Sequence, residues 1–272
     1  MERIINLRDR ELVLGKKTLL MGILNVTPDS FSDGGFFNSY DAAINHAAQL
    51  VKDGADIIDI GAESTRPNFT PISADEEISR LEKIIPAVKN LGVPISIDTY
   101  KPQVAAVALE LGADIINDVN INDEMIQVAK KFYAPVIATH NRLDKNFSSG
   151  YVIADIKKFF RDTLQRCKKF DFDAQIIFDV GIGFGKTQEE NLTILRNLRE
   201  LKTVDGAEVP MLLGVSRKSV IGYATGFDVD ERDEATGAIC VAAIFQGVEI
   251  MRVHNVKMIS KMCKMADKLA GV

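Results

Sequence analysis

The sequence predicts an α/β protein: a single-domain, closed (β/α)8 barrel of the TIM type with an N-terminal β-hairpin. Three observations predict it. Eight short apolar runs recur along the 272 residues, at 19–24, 56–60, 94–98, 114–117, 135–139, 175–180, 211–215 and 249–253. They are rich in Ile and Val and do not alternate with polar residues, the pattern of strands buried on both faces. Between them lie segments with helical apolar spacing, so strands and helices alternate and imply βαβ units in a parallel sheet. Eight such units in ~250 residues suit a closed barrel. A doubly wound open sheet is the alternative.

Each element has its own justification. Residues 1–18 precede the first run and are expected to form a hairpin that plugs the bottom of the barrel, leaving 19–272 as the barrel proper. Segment 41–52 places Ala43, Ile44, Ala47, Ala48 and Val51 on one helical face. Segments 74–90, 102–111, 123–132, 153–170, 187–201 and 232–246 read similarly. The tail after Asn255 reads as a last helix with Ile259, Met262, Met265, Ala266 and Leu269 as its apolar stripe, expected to serve packing. An internal echo supports repeated units: Asp53-Gly54-Ala55-Asp56-Ile57-Ile58-Asp59 resembles Leu111-Gly112-Ala113-Asp114-Ile115-Ile116-Asn117. In each, a glycine ends a helix and a strand begins at once. The stretch from Phe172 to Ile177 is a fainter third copy.

Composition excludes several classes. The net charge is −5, so no global basic surface exists to hold nucleic acid. No apolar run approaches the ~20 residues of a membrane-spanning helix. The N-terminus, Met1-Glu2-Arg3-Ile4-Ile5-Asn6-Leu7-Arg8, is too charged for a signal peptide. Cys167, Cys240 and Cys263 form no CxxC pair and fall in helical segments, as free thiols in a reducing compartment would. A cytoplasmic protein is expected.

The chemistry is read from the strand ends. Asn25, Asp59, Asp98, Asn117, His140, Asp179, Ser216 and His254 each close an apolar run. In a barrel all these ends converge on one face, where active sites are built. Buried carboxylates are costly without partners, so several together call for a ligand rich in N–H donors. The first run is followed by Val26-Thr27-Pro28-Asp29-Ser30-Phe31-Ser32-Asp33-Gly34-Gly35, a loop carrying carboxylates, hydroxyls and an aromatic ring. Two tempting motifs fail. Gly181-Ile182-Gly183-Phe184-Gly185 lacks dinucleotide-binding spacing, and Gly185-Lys186-Thr187 would need a glycine where Val180 stands to be a P-loop.

The segment Met21-Gly22-Ile23-Leu24-Asn25-Val26-Thr27-Pro28-Asp29-Ser30-Phe31-Ser32-Asp33-Gly34-Gly35 closely resembles the signature of dihydropteroate synthases, which join a pterin to p-aminobenzoate. Four further stretches are similar to that family: Glu63-Ser64-Thr65-Arg66-Pro67, Pro94-Ile95-Ser96-Ile97-Asp98-Thr99, Gly112-Ala113-Asp114-Ile115-Ile116-Asn117-Asp118, and Gly214-Val215-Ser216-Arg217-Lys218-Ser219. Phe178-Asp179-Val180-Gly181-Ile182-Gly183-Phe184-Gly185-Lys186 is similar too, with Val180 where the family more often has Pro, and Val215 stands where it usually has Thr. Thr139-His140-Asn141-Arg142 departs from the family's Met-His, so His140 is given no role, and Arg217 is left open.

The resemblance implies roles residue by residue. Asp98, Asn117, Asp179 and Lys218 would hold the pterin, whose amino and ring N–H groups donate and whose carbonyl accepts. Phe31, Thr65, Pro67, Gly183, Phe184 and Ser219 would hold p-aminobenzoate. Asn25, Arg252 and His254 would take the pyrophosphate, with Asn25 also a ligand of Mg2+. Alternation independently puts Arg252 and His254 on one face of the last strand. Asp33, Arg66, Asp98 and Lys218 would be catalytic, the first two on loops that exclude water when closed. Pyrophosphate would leave an SN1-like pterin cation that the amine captures. A homodimer is also implied. Two rivals remain: a methyltetrahydrofolate–corrinoid methyltransferase on the same barrel, which has no reason for the Thr65-Arg66-Pro67 loop, and a non-catalytic pterin-binding protein, which should lack the pyrophosphate residues.

Overall fold

The structure is a computed structural model describing residues 2–26, 35–63, 70–142, 151–172 and 175–272. Strands β1 (Arg3–Asn6) and β2 (Glu11–Leu14) form an antiparallel hairpin. Eight parallel strands follow: β3 (Leu19–Asn25), β4 (Ile57–Gly61), β5 (Ile95–Asp98), β6 (Ile115–Asp118), β7 (Val136–Thr139), β8 (Ile176–Asp179), β11 (Met211–Gly214) and β12 (Ile250–Val253). Between β8 and β11 lies a small hairpin, β9 (Thr203–Val204) and β10 (Ala207–Glu208). Neighbouring barrel strands pair in sequence order, β11 pairs with β8, and β12 pairs with β3, so the sheet closes. All eight expected strands are present, each within a residue or two of its apolar run.

The small hairpin had a sequence signal that was not read. Asp205-Gly206, both at positive φ (48° and 83°), form the tight turn that Asp-Gly favours between antiparallel strands.

The helices are α1 (Gly35–Lys52), α2 (Ala74–Leu81), α3 (Ile84–Lys89), α4 (Pro102–Leu111), α5 (Asp123–Phe132), α6 (Val152–Lys169), α7 (Gln188–Arg196), α8 (Leu198–Leu201), α9 (Ser219–Thr225), α10 (Asp233–Phe245) and α11 (Val256–Ala270). Four expectations need correction. Segment 74–90 is two helices, because Pro86 lacks an N–H and its ring collides with the carbonyl four residues back. Restarting at Ile84 puts Pro86 in a first turn, where no N–H is needed. Segment 187–201 breaks at Asn197, whose side chain donates to the Thr193 carbonyl at 2.8 Å. In α11, Met265 and Leu269 are exposed (59% and 65%). The buried stripe is Val256, Ile259, Cys263 and Ala266, and at ~100° per residue Met265 and Leu269 fall to its side. Helix α1 also starts at Gly35, earlier than the expected 41.

The core has two layers. Leu20, Ile58, Ile60, Ile95, Ile97, Ile116 and Phe178 point outward to the helices. Inside the barrel, Leu19, Met21, Ile57, Ile115, Ile137, Ile177, Leu212 and Ile250 fill the lower half. Ile5, Leu7, Leu12 and Leu14 of the N-terminal hairpin join that inner cluster, so the hairpin closes the barrel floor. The internal echo has a physical basis. Gly54 and Gly112 adopt φ of 108° and 115° at helix ends, a conformation that glycine adopts at little cost. Two residues later, Asp56 accepts the Leu20 N–H and Asp114 the Ile95 N–H, each at 2.9 Å. Each repeat thus secures the base of a neighbouring strand.

Candidate active site

The inward residues above the apolar floor are polar, and they meet at the C-terminal mouth. Arg252 on β12 is their centre. Its Nε donates to Asp59 Oδ2 and its Nη2 to Asp98 Oδ2, both at 2.5 Å. Asn117 Nδ2 donates to both Asp59 oxygens at 3.2 Å. Two glycines leave room between these groups. A Cβ on Gly61 would meet Asp98 Cβ at 3.6 Å and Asn25 Oδ1 at 3.8 Å. One on Gly214 would meet Asp179 Oδ2 at 3.4 Å and the Arg252 side chain at 3.9 Å.

Across the mouth, Asp179 Oδ1 accepts the Gly181 N–H at 2.8 Å. Lys218 donates to the Ile182 carbonyl and sits 4.8 Å from the centre of the Phe184 ring. Its stem runs beside Gly183, where a Cβ would lie 3.7 Å from Lys218 Cδ. Sequence positions 179, 183, 184 and 218 are therefore one wall. Ser219 is the exposed first residue of α9, and its Oγ accepts from Gln188 Nε2 at 3.1 Å.

Burial sets the electrostatics. It pushes the Asp98 carboxyl up to about 7, against the pull of Arg252. It raises Asp179 also, against Lys218 and the Gly181 N–H. It pulls the Lys218 ammonium down to about 8, against Asp179. For Arg252 burial opposes the charge, but Asp59 and Asp98 outweigh it and the pKa is raised. Three carboxylates thus share the mouth with two cations. That balance favours a ligand that presents several N–H donors or carries partial positive charge.

Several expectations change in detail. Arg252 and His254 were expected to stand side by side as an anion site. Arg252 is engaged by Asp59 and Asp98, while His254 Nδ1 lies 2.9 Å from Ser216 Oγ. The reason is closure: β12 sits beside β3, two strands from β4 and three from β5, so its arginine reaches carboxylates the linear pattern does not pair with it. Arg217, left open, takes φ 59° and forms a two-pronged ion pair with Asp233 at 2.7 and 2.8 Å. Asn255 donates to the same carboxylate at 2.9 Å. Arg217 therefore fixes the chain just before Lys218. His140, also left open, lies 3.1 Å from Asp155, and burial pushes its pKa down to about 3, so it stays neutral. Phe31, Asp33, Thr65, Arg66 and Pro67 lie outside the described residues. Sequence reasoning gave no role to Asp59, the fully buried partner of Arg252. A signal existed, since the internal echo aligns Asp59 with Asn117, and these two side chains bond each other.

Residues 21–254 match the family described as pterin binding enzyme. A dihydropteroate synthase of Clostridium beijerinckii is 44% identical over 264 residues, covering 95% of this chain and 96% of its own. A crystal structure of dihydropteroate synthase from Clostridium difficile, obtained in the presence of pteroic acid, superposes with a TM-score of 0.89 at 44% identity, covering 94% of this chain and 98% of that one. The Xanthomonas albilineans enzyme with 4-aminobenzoic acid superposes with a TM-score of 0.93 at 32% identity, each chain covered in full (100%). The barrel, with donors and acceptors gathered at its mouth, defines a member of the pterin-binding enzymes, and the chain belongs to that family. Within it, the chain groups with the dihydropteroate synthases, the alkyl-transferring enzymes of folate biosynthesis.

Proposed function

We propose that the mouth of this barrel binds 6-hydroxymethyl-7,8-dihydropterin pyrophosphate and p-aminobenzoate and joins them. The observation that carries this reading is the cluster of Asp98, Asn117 and Asp179 with Lys218 at the barrel mouth, where Asn117 and Asp179 are buried and desolvation shifts Asp98 and Lys218. Asp98 and Asp179 accept from the pterin amino and ring N–H groups, and Asn117 reads a mixed edge with its amide. Lys218 has three N–H donors and uses one on Ile182, so it can also donate to the pterin carbonyl. Gly183 and Phe184 wall the p-aminobenzoate ring, with Ser219 near its carboxylate. Phe31, Thr65 and Pro67 are assigned to the same subsite, and Asp33 and Arg66 to closing loops, by family likeness alone.

In the reaction the C–O bond at the pterin methylene breaks, pyrophosphate departs with the electron pair, and the amine nitrogen forms the new C–N bond. The amine proton is released to water. An SN1-like path suits this site. The carboxylates favour a pterin that carries positive charge, and they are already in place before that charge develops. Arg252 has N–H groups beyond the two given to Asp59 and Asp98, and with His254 it receives the departing pyrophosphate.

Mg2+ is proposed as the cofactor. Among the described residues no group of three or more His, Cys, Asp or Glu could hold a metal. A magnesium ion bound to pyrophosphate needs only one or two protein oxygens, and Asn25 at the end of β3 offers an amide oxygen that, like Asp98, faces Gly61. Asn25 would hold the ion, which would neutralise charge on the leaving group. A homodimer is proposed as well, since Met265 and Leu269 of α11 and Phe245 of α10 leave apolar surface exposed. No helix among the described residues is long and apolar enough to cross a membrane, and a cytoplasmic location is proposed.

The test supplies both substrates and Mg2+ and follows dihydropteroate and pyrophosphate together. Equal, amine-dependent production of both, abolished by EDTA and restored by Mg2+, is expected. Tight pterin binding with no product would move the pterin-binding-protein reading forward. Methyl transfer to cob(I)alamin would favour the methyltransferase.

A further inference from the structure

The loop after β8 is built around two lysines, and only one of them faces the mouth. Gly181, Gly183 and Gly185 have φ of 66°, 85° and 64°, so the chain turns at every second residue. The loop carbonyls therefore divide between two sides. The Ile182 carbonyl accepts from Lys218 on the substrate side. On the other side Lys186 Nζ donates to the carbonyls of Gly181 at 2.7 Å, His140 at 2.9 Å and Phe184 at 3.3 Å. Lys186 is itself buried. Its backbone carbonyl and the Gly183 N–H are held by one side chain, Asn191, at 3.5 and 2.9 Å. The packing leaves no slack, because a Cβ on Gly181 would sit 2.0 Å from the His140 carbonyl oxygen.

We propose that Lys186 is a positioning residue for the aromatic-amine half of the site: its ammonium gathers three carbonyls and so sets where Phe184 and Lys218 stand. Burial pulls the Lys186 pKa down to about 7, against Asp179; in its protonated form the side chain has one N–H for each of the three acceptors, whereas an amide or a thioether cannot satisfy all three. The burial of a lysine beneath a loop, rather than an apolar side chain, follows from that geometry: three buried carbonyls converge on one point, and only two of them, those of Gly181 and Phe184, also accept a backbone N–H nearby, from Phe184 at 3.1 Å and Arg142 at 3.3 Å. The Gly181 peptide carries the effect further. Its N–H holds Asp179 Oδ1 while its carbonyl is held by Lys186. Loss of Lys186 would therefore loosen the Phe184 ring and the Lys218 tether first, and Asp179 less. Asp98 and Asn117 are anchored separately through Arg252 and Asp59.

This inference rests on the reading that Gly183 and Phe184 wall p-aminobenzoate, so the experiment includes Phe184→Ala as a check on that reading. The KM for p-aminobenzoate and kcat are measured for the full-length protein and for Lys186→Met, Lys186→Gln and Phe184→Ala. Pterin pyrophosphate affinity is measured separately by calorimetry. The p-aminobenzoate KM is expected to rise about tenfold or more in Lys186→Met and by less in Lys186→Gln, which retains two donors. Pterin affinity is expected to move by less than the KM in both. Should Lys186→Met not fold, Lys186→Gln carries the comparison under the same criterion. A p-aminobenzoate KM within twofold of the native value, whatever the change in melting temperature, would overturn the role of Lys186. If Phe184→Ala raises that KM and the Lys186 variants do not, only this inference fails. If Lys186→Met raises it and Phe184→Ala does not, Lys186 positions the site but Phe184 is not its wall.

Discussion

The two ends of the barrel handle buried charge in different ways. At the foot, each carboxylate accepts a backbone N–H, and two of them, Asp56 and Glu249, also pair with Lys17 and Lys202. Asp56 accepts the Leu20 N–H, Asp114 the Ile95 N–H, Glu249 the Met211 N–H, and Asp267 the Thr18 N–H. Each closes an orphan donor at the base of the sheet, beside an apolar floor sealed by Ile5, Leu7, Leu12 and Leu14. At the mouth, Asp59, Asp98 and Asp179 face side-chain cations and glycine gaps. Backbone donors are fixed by the fold and belong to stability. Side-chain cations can be shared with a ligand, so the same residue type serves binding. What sets the mouth apart is that two acids, Asp59 and Asp98, share one cation, Arg252, whose remaining N–H groups can reach a ligand.

The sharpest way to break this comparison is to remove the shared cation. Arg252→Met leaves Asp59 and Asp98 buried without it and is expected to cost about 3–5 kcal/mol of stability. Urea unfolding reads that loss, and product formation is expected to vanish with it. Asp98→Asn is milder to the fold and is expected to weaken binding of the pterin pyrophosphate about a hundredfold, or ~3 kcal/mol, in a calorimetric titration. Near-native pterin affinity in that variant would remove Asp98 from its role. The foot should respond in the opposite sense. Asp114→Ala leaves the Ile95 N–H unsatisfied and should cost about 1–3 kcal/mol in urea unfolding with both KM values unchanged. A raised KM would show that the two ends are not separate.

The smallest effect concerns Asp118, buried on β6 beside Asn117. Burial pushes its pKa up to about 7 from an ordinary 3.8, against the Asn120 N–H. The folded protein therefore keeps a proton that the unfolded chain gives up between those two values. Stability from this group is present at low pH and falls as pH rises through that window. Asp98, also raised to about 7, adds to the same slope. Asp118→Asn should flatten the fall and gain roughly 1 kcal/mol at pH 7.5 relative to the native protein. Urea midpoints at pH 5 and pH 7.5 check it, and an unchanged slope would remove Asp118 as a source.

Much of the fold was legible because strands buried on both faces must be apolar at every position, and such runs stand out. The polar residue closing each run was legible for the same reason: the run stops where the mouth begins. Asp98, Asn117, Asp179 and Lys218 were found in this way or by family likeness, and the structure brings Asp179 and Lys218 to one wall with Gly183 and Phe184. Helix interruptions were less legible. Pro86 is a plain breaker read through a strong apolar pattern, and Asn197 acts through a side-chain bond that spacing does not reveal. Lys186 carried a misleading signal. Its glycine-rich surroundings invited comparison with a phosphate loop, whereas the glycines turn carbonyls, not N–H groups, toward it.

The sequence by itself determined the alternation of strands and helices, the closing hairpin and the list of polar strand ends, because these depend on local periodicity and on which faces are buried. The tertiary structure alone decided who partners whom. Arg252 lies 193 positions from Asp59 and 154 from Asp98 along the chain. Only closure of the barrel, with β12 laid beside β3, brings the last strand's cation to the first strands' carboxylates. Ion pairing and desolvation act through space, so their strengths appear only once the ring is closed.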